Sequence, residues 1–497
     1  MATPIPTNRA AFTVDAIAEA TRGSIVRRGS LVDVAGVVTD SRALVPGNVF
    51  VAIKGESHDG HAFVAKAVAA HAAVILVERG RGEQAFLDGA SGDATFVEVD
   101  DTLIALGDLA RVHLEAWRAR APHGAGRKVI AITGSAGKTT TKELLSAILG
   151  AVAPTHYTAG NLNNRVGVPH VVLGLEDSHR FVVLEMGMSL PGELDLITSF
   201  ARPDVSVVTN VGLAHAEGVG GPDGVMREKG AVYRALASDG VAVINADDAR
   251  VMSAASATSA RTRVTFGTAE GATYRLVRRE ARGEGGSLVV LATPGRELSL
   301  LLPLPGEAAA IDLAAALAAQ ETASGTLLPI EALEAELATV QLAGRATVKR
   351  LGQDVLVLDD TYNANPGSMR AALATLAEIA GSRRRVAILG EMKELGSHAE
   401  SEHDALGDAL AVSGVTLAIG CGGLVDRTLA RAASLAPAME VVAAPSTEEA
   451  AREAGLRVRS GDAVLVKGSR SVGAERVVAV LTETWPGASE SATSRAL

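Results

Sequence analysis

Apolar residues along this chain gather into short continuous runs rather than strict alternation. Phe181 to Glu185 (FVVLE), Val205 to Asn210 (VSVVTN) and Val241 to Ala246 (VAVINA) are rich in β-branched residues and are separated by helical stretches. That pattern predicts parallel strands covered on both faces. Lys128 to Thr133 is a further strand of this kind, entered from an amphipathic segment (LIALGDLARVHLEAW, from Leu103) through the breaker run APHGAG. Upstream, VVTD, VFVAI and AVILVE alternate with a short helical stretch, Ala62 to Ala73, and predict a small α/β unit. From Val264 to Leu302 the pattern alternates and predicts antiparallel hairpins ahead of an Ala-rich helix at 308–319. VLVLD (355–359), VAIL (386–389), TLAIG (416–420) and VLVK (464–467) then predict a second doubly wound unit.

The expected fold is therefore α/β with three domains: a small α/β domain at 1–100, a central parallel-sheet domain at 101–343 and a Rossmann-like domain at 344–497. The tail 486–497, polar and small, is expected to fray. A chain of 497 residues suits about three domains.

Aromatics make up only 3% of the chain, so its cores must be aliphatic and it has little material for base stacking. A net charge of −10 repels polyphosphate backbones, so no nucleic-acid partner is expected. A single cysteine, Cys421, rules out an internal disulfide or a Cys-based zinc site, and it is expected to be unreactive. The N-terminus lacks a signal-peptide run, and no apolar stretch approaches the roughly 18 residues that span a bilayer. These features predict a cytoplasmic protein with no membrane insertion.

The chemistry starts at Gly134-Ser135-Ala136-Gly137-Lys138-Thr139-Thr140, between the strand ending at Thr133 and a helical stretch carrying Leu144, Leu145, Ile148 and Leu149. A glycine loop there aims backbone N–H groups and a helix N-terminus at phosphate oxygens. Lys138 would reach the β/γ-phosphates and the Thr139 hydroxyl a magnesium ion. With 52 glycines, a glycine pair at any fixed spacing arises about five times by chance, so the weight rests on Gly-Lys-Thr at a strand end. The alternative is a plain strand-to-helix turn. Glu185, at a strand's C-terminal end, would point into the crevice where α/β sheets bind ligands, unless it is a solvated strand-end carboxylate. His215, alone in its loop, reads more often as a surface or capping histidine, and Lys229 ordinarily as a solvated helix lysine.

Together these residues resemble the Mur ligases, the ATP-dependent amide-forming enzymes of peptidoglycan assembly. Five stretches, from Val38 to about Val478, carry the resemblance. They are Asp40-Ser41-Arg42 with Pro46-Gly47 and Asp59-Gly60-His61; the phosphate loop; Gly160-Asn161-Leu162-Asn163-Asn164 running to Pro169; Asp359-Asp360-Thr361-Tyr362-Asn363-Ala364-Asn365-Pro366; and Val466-Lys467-Gly468-Ser469-Arg470-Ser471. The last three point to the branch that joins D-alanyl-D-alanine to UDP-N-acetylmuramoyl-tripeptide.

The resemblance implies roles for these positions. Thr139 and Glu185 would hold one Mg2+, His215 a second, and Lys229 would be a carbamoylated lysine serving the metal site. Ser41, Arg42, Asp59 and His61 would line the uridine pocket. Asn161, Asn163 and Asn164 would also meet substrate. Asp360, Tyr362, Asn363 and Asn365 would close over nucleotide and amine, with Arg345 entering from the linker. Bland readings stand beside these: a turn at Asp59-Gly60-His61, a helix N-cap before Pro366, and a sheet edge with a basic turn at 466–471. One departure stands out. Where relatives have a His-Asn pair and a later Asn, this chain reads Glu307-Ala308-Ala309-Ala310-Ile311-Asp312, which leaves Asp312 as the polar group near the adenine. A monomer is expected. Rival readings are a sister ligase, such as a folate polyglutamylating enzyme, or a nucleotide-binding homologue without catalysis.

Overall fold

The computed structural model describes residues 3–31, 34–55, 58–82, 93–122 and 126–487. Most of the terminal tail and residues 123–125 of the breaker run lie outside them. Three large sheets follow one another along the chain, and the architecture is the α/β class expected.

The first sheet has five strands in the order Ser24–Arg27, Thr95–Val99, Val74–Glu78, Val49–Val51, Val37–Val38, all parallel except the first. The helix Thr102–Ala119, capped by the Asp101 carboxylate, packs against both this unit and the next. One apolar core consequently runs from Val14, Val37 and Val49 through Leu106 and Trp117 to Val129 and Val182.

The second sheet has nine strands. Val205–Val208, Lys128–Thr133 and Phe181–Glu185 are adjacent and parallel, so three loops emerge side by side at their C-terminal ends. Every residue of Phe181–Glu185 is buried, as helices on both faces require. The Val264–Leu302 stretch differs from the expected hairpins at its start. Thr262–Gly267 pairs parallel with Val241–Asn245, and only Tyr274–Ala281, Ser287–Thr293 and Arg296–Leu302 form an antiparallel meander, which extends the same sheet. Under the other face lies the Ala-rich helix Glu307–Ser324, mostly buried and packed on the phosphate-loop helix Lys138–Gly150. Alanines at a helix crossing let two backbones approach closely, which suits a chain so poor in aromatics.

The third sheet has the order Thr347–Arg350, Leu356–Asp360, Ala463–Lys467, Arg385–Leu389, Val415–Gly420, Glu440–Ala443, with only the first strand antiparallel. Ala463–Lys467 is interior to this sheet, which corrects the sheet-edge reading of 466–471: Lys467 ends a buried strand. Cys421 is buried, and burial raises its thiol to about 12, so it stays protonated at neutral pH.

Candidate active site

The strand Lys128–Thr133 ends in a turn that only glycine can make in two places. A side chain on Gly134, at φ 157, would meet Thr209 Oγ1 at 1.8 Å. One on Gly137, at φ 81, would meet Asp312 Oδ1 at 2.4 Å. Gly137 caps the helix Lys138–Gly150, whose first-turn amides have no partner within the helix and make an anion site. The loop does not offer every N–H to a ligand. Asn210 takes two of them, its carbonyl accepting from Ser135 N at 3.0 Å and its Oδ1 from Ala136 N at 2.9 Å. Lys138 folds over the loop and donates to the Gly134 carbonyl at 2.7 Å. Burial lowers its pKa, while Glu185 opposes that shift and Arg345 adds to it.

Glu185 is 1% exposed, which corrects the solvated reading. An unpaired buried carboxylate would cost several kcal/mol, and here each oxygen accepts one hydrogen bond. Thr139 Oγ1 donates to one at 2.7 Å and Asn163 Nδ2 to the other at 2.8 Å. Thr158 Oγ1 takes the Glu185 backbone N–H, and the buried Lys142 holds the Thr158 carbonyl at 2.8 Å. Among the described residues no three His, Cys, Asp or Glu side chains gather as a metal cluster. One carboxylate and one hydroxyl beside a phosphate loop nevertheless fit magnesium, which takes one or two carboxylates plus substrate phosphates.

Lys229 ends the helix Gly221–Lys229 and is 1% exposed, so the solvated reading is corrected here too. Burial sets its pKa well below the usual lysine range, with Lys138 adding to the shift and Glu228 opposing it. His215 occupies an N-cap position at φ 62 without making a capping hydrogen bond. Its Nδ1 lies 2.5 Å from the Glu394 carboxylate, and that contact holds Glu394 below its ordinary range.

The third unit supplies the facing wall. Asp360 accepts from Lys467 Nζ at 2.6 Å and from the Ala346 amide at 3.1 Å. The Arg345 guanidinium stacks 3.7 Å above the Tyr362 ring, with Arg470 5.6 Å from the same ring. Lys467 also donates to the Asn363 carbonyl. Asn365 caps the helix Pro366–Ala380 in a reciprocal pair with Ser368, so the bland N-cap reading holds, yet its Nδ2 also reaches the Ser135 carbonyl. The walls enclose a cleft of about 1330 Å³. Ser135 to Lys138, Thr140, Asn161, Asn163, Asn164, Glu185, His215, Arg345, Asp360, Tyr362, Asn363 and Asn365 line it.

Three family models match in order: the Mur ligase catalytic domain at 33–113, the middle domain at 132–320 and the glutamate ligase domain at 344–470. The chain belongs to the Mur ligase family. Among Mur ligases it is 35% identical over 460 residues to the UDP-N-acetylmuramoyl-tripeptide--D-alanyl-D-alanine ligase of Escherichia coli, covering 92% of this chain and 95% of that one. The same-named ligase of Bacillus subtilis is 30% identical, covering 95% and 98%. MurF from Acinetobacter baumannii superposes with a TM-score of 0.83 at 32% identity, over 96% of this chain and all of that one. MurF ligase from Thermotoga maritima in complex with ADP gives 0.76 at 28% identity, over 90% and 97%. Folylpolyglutamate synthase from Mycobacterium tuberculosis shares the fold at 20% identity and a TM-score of 0.57, covering 74% of this chain.

In this Mur ligase, the four residues expected at the uridine pocket stand apart from the cleft. Arg42 is largely exposed and pairs with Asp40 at 2.6 Å, which holds the Asp40 carboxyl down at about 2. Ser41 is buried beside them. His61 Nε2 accepts the Glu78 N–H at 3.0 Å, so its proton sits on Nδ1 and bonds Asp59 Oδ1 at 2.6 Å. Both ring nitrogens thus serve the turn itself, while Asp59 Oδ2 lies 3.7 Å from the Arg81 guanidinium. Asp312 lines the cleft as well. It is buried beneath Gly137 with Thr141 Oγ1 at 3.2 Å, and burial pushes its pKa well above the carboxylate range. Sequence reasoning missed Asn210, whose sole sign was its place just past a strand end, and Glu394, which has no local signature.

Proposed function

We propose that this chain uses ATP to join D-alanyl-D-alanine to UDP-N-acetylmuramoyl-tripeptide, giving the UDP-muramoyl-pentapeptide of peptidoglycan. The observation that carries this reading is the meeting in one cleft of the phosphate loop, the Thr139–Glu185 pair and the Asp360-Tyr362-Asn363-Asn365 stretch. The tripeptide carboxylate attacks the γ-phosphorus, ADP leaves, and an acyl phosphate results. The dipeptide amine then attacks that carbonyl, inorganic phosphate departs, and the amine gives up a proton. Lys138, released from the Gly134 carbonyl, offsets negative charge at the transferring phosphoryl group. Asn363, Asn365 and Tyr362 orient the incoming amine against the nucleotide, which is where positioning lowers the barrier.

Thr139 and Glu185 are suited to hold one Mg2+, and His215 with carbamoylated Lys229 to serve a second; bound there, the ions offset repulsion between carboxylate and triphosphate. Burial favours the neutral Lys229 amine, the form that captures carbon dioxide. Arg42, Ser41, Asp59 and His61 belong to the uridine-anchoring unit, 1–100, with ATP held by 101–343 and the dipeptide by 344–497. The protein acts as a cytoplasmic monomer in this reading; among the described residues no helix is long and apolar enough to cross a membrane.

Phosphate release measured with the UDP-tripeptide, with and without D-alanyl-D-alanine, tests the proposal. Release that requires the dipeptide supports it. Release with a different amino acid in place of the dipeptide indicates a sister ligase, and no release with any amine indicates a non-catalytic homologue.

A further inference from the structure

The hairpin formed by Tyr274–Ala281 and Ser287–Thr293 belongs to the central sheet, yet it grips the third unit twice. The Arg279 guanidinium forms a bidentate pair with the Glu378 carboxylate, Nη1 to Oε2 at 3.0 Å and Nη2 to Oε1, and Nη1 also donates to Ser287 Oγ at 3.0 Å. Their side chains are 13% and 25% exposed, so this pair is shielded from the screening that empties surface pairs of value. At the hairpin turn, Glu284 pairs with Arg350 on the edge strand, a half-exposed contact of small worth.

Glu378 stands in the last turn of the helix Pro366–Ala380, and Asn365 caps the other end. The helix is about 22 Å long at 1.5 Å per residue. Along its length Thr375 lies against Gly306, where an added methyl would come within 2.5 Å of Thr375 Oγ1. Met369, Leu373, Leu376 and Ile379 pack this helix into the core of the third unit, so the contacts at Glu378 and Thr375 fix how that unit leans on the central one, and with it where Asn365 meets the Ser135 carbonyl. A tilt of about 3° at the anchor moves Asn365 by about 1 Å, a displacement that can cost about a hundredfold in rate at a reacting centre.

We infer that Arg279 and Glu378 are positioning residues for the ligation: their pair sets how the third unit leans on the central sheet, and so holds Asn365 against the phosphate loop and Tyr362–Asn363 over the amine. Neither residue lines the cleft, so any effect must pass through the placement of the third unit against the central one. The inference rests on the ligase reading above.

The test is a steady-state comparison of the full-length enzyme with R279A, R279K, E378Q and the reversed pair R279E/E378R, with melting temperature measured on each. The native enzyme must first release phosphate in a dipeptide-dependent way; failure there removes the ligase reading itself, whatever the variants do. Given that activity, R279A is expected to lower kcat and raise KM for D-alanyl-D-alanine, each about tenfold, with KM for the UDP-tripeptide unchanged because its anchor is in the first unit. R279K keeps the charge without the two-pronged fork and should be intermediate while staying folded. The reversed pair should recover most of the dipeptide KM. A lowered melting temperature with unchanged kinetics in R279K and E378Q, or an equal rise in all three KM values, would overturn the inference.

Discussion

Asn365 donates its side-chain amide to the Ser135 carbonyl at 3.2 Å, although 230 positions separate the two in sequence. The same side chain accepts from the Ser368 amide at 2.9 Å and so starts the helix Pro366–Ala380. One amide group thus begins a helix in the third unit and touches the nucleotide loop of the second. Because its oxygen and nitrogen do separate jobs, the two jobs can be separated.

Asn365→Ala should lose both, lowering stability by about 1 kcal/mol through the missing cap and reducing turnover. Asn365→Ser keeps a capping oxygen but cannot reach Ser135, so its melting temperature should match the native protein while turnover stays low. Equal turnover in Asn365→Ser and the native enzyme would mean that the contact with Ser135 is incidental.

Lys138→Ala should cut kcat by roughly 10²- to 10³-fold, by removing a charge held ready at the transferring phosphoryl group. The folded state should survive, because among the described residues the ammonium donates its hydrogen bond to the Gly134 carbonyl and its burial opposes its charge. Phosphate release and circular dichroism on the same sample check both halves.

Arg42→Ala should raise KM for the UDP-tripeptide with kcat little changed, since a contact remote from the chemistry acts on ground and transition states alike. Arg42 is exposed and its pairing with Asp40 contributes little to folding, so the melting temperature should hold. A change confined to the ATP KM would show that this unit anchors something else.

Lys229→Ala should be nearly inactive and partly restored by acetate or formate, which can supply the missing anionic group; rescue by amines would point to a cation instead. The pH dependence follows from burial. The folded state binds the Lys229 proton less tightly than the unfolded chain does, so stability of the carbamate-free enzyme should rise with pH from the depressed pKa up to the ordinary lysine value, and fall as pH drops. Protonation at lower pH also removes the amine that takes up carbon dioxide, so activity in bicarbonate-depleted buffer should fall in the same direction. Lys229→Met should flatten the stability profile, which denaturant titrations at several pH values would reveal.

The parts of this site that are legible in the sequence are those written within a few residues. Gly-Lys-Thr after a strand marks the phosphate loop, and Glu185 at the end of an apolar run marks a strand's C-terminal end. Asn210 was invisible because its role depends on the register that brings Val205–Val208 beside Lys128–Thr133, a non-local pairing. Glu394 meets His215 only because the third unit folds over the second. The stretch 466–471 misled for a related reason: it reads as a sheet edge with a basic turn, whereas Asp360 from the neighbouring strand is what allows Lys467 to be buried. At Asp59–His61 and Asn365–Pro366 the structure has the turn and the helix cap of the bland readings, because both are set by side chains within three residues of the backbone groups they bond.

The packing of Asp312 under Gly137 also bears on how this stretch of the chain can drift. A carboxyl at 312 and any side chain at 137 claim the same space, so a mutation at 137 finds no room while Asp312 stands, and shrinking 312 first would still leave the left-handed backbone that penalises all residues except glycine. Of the two partners, only the one outside the phosphate loop escapes the left-handed backbone restriction, so any drift in this contact has to begin at 312, within the buried space beside Thr141, and leaves the loop above it fixed.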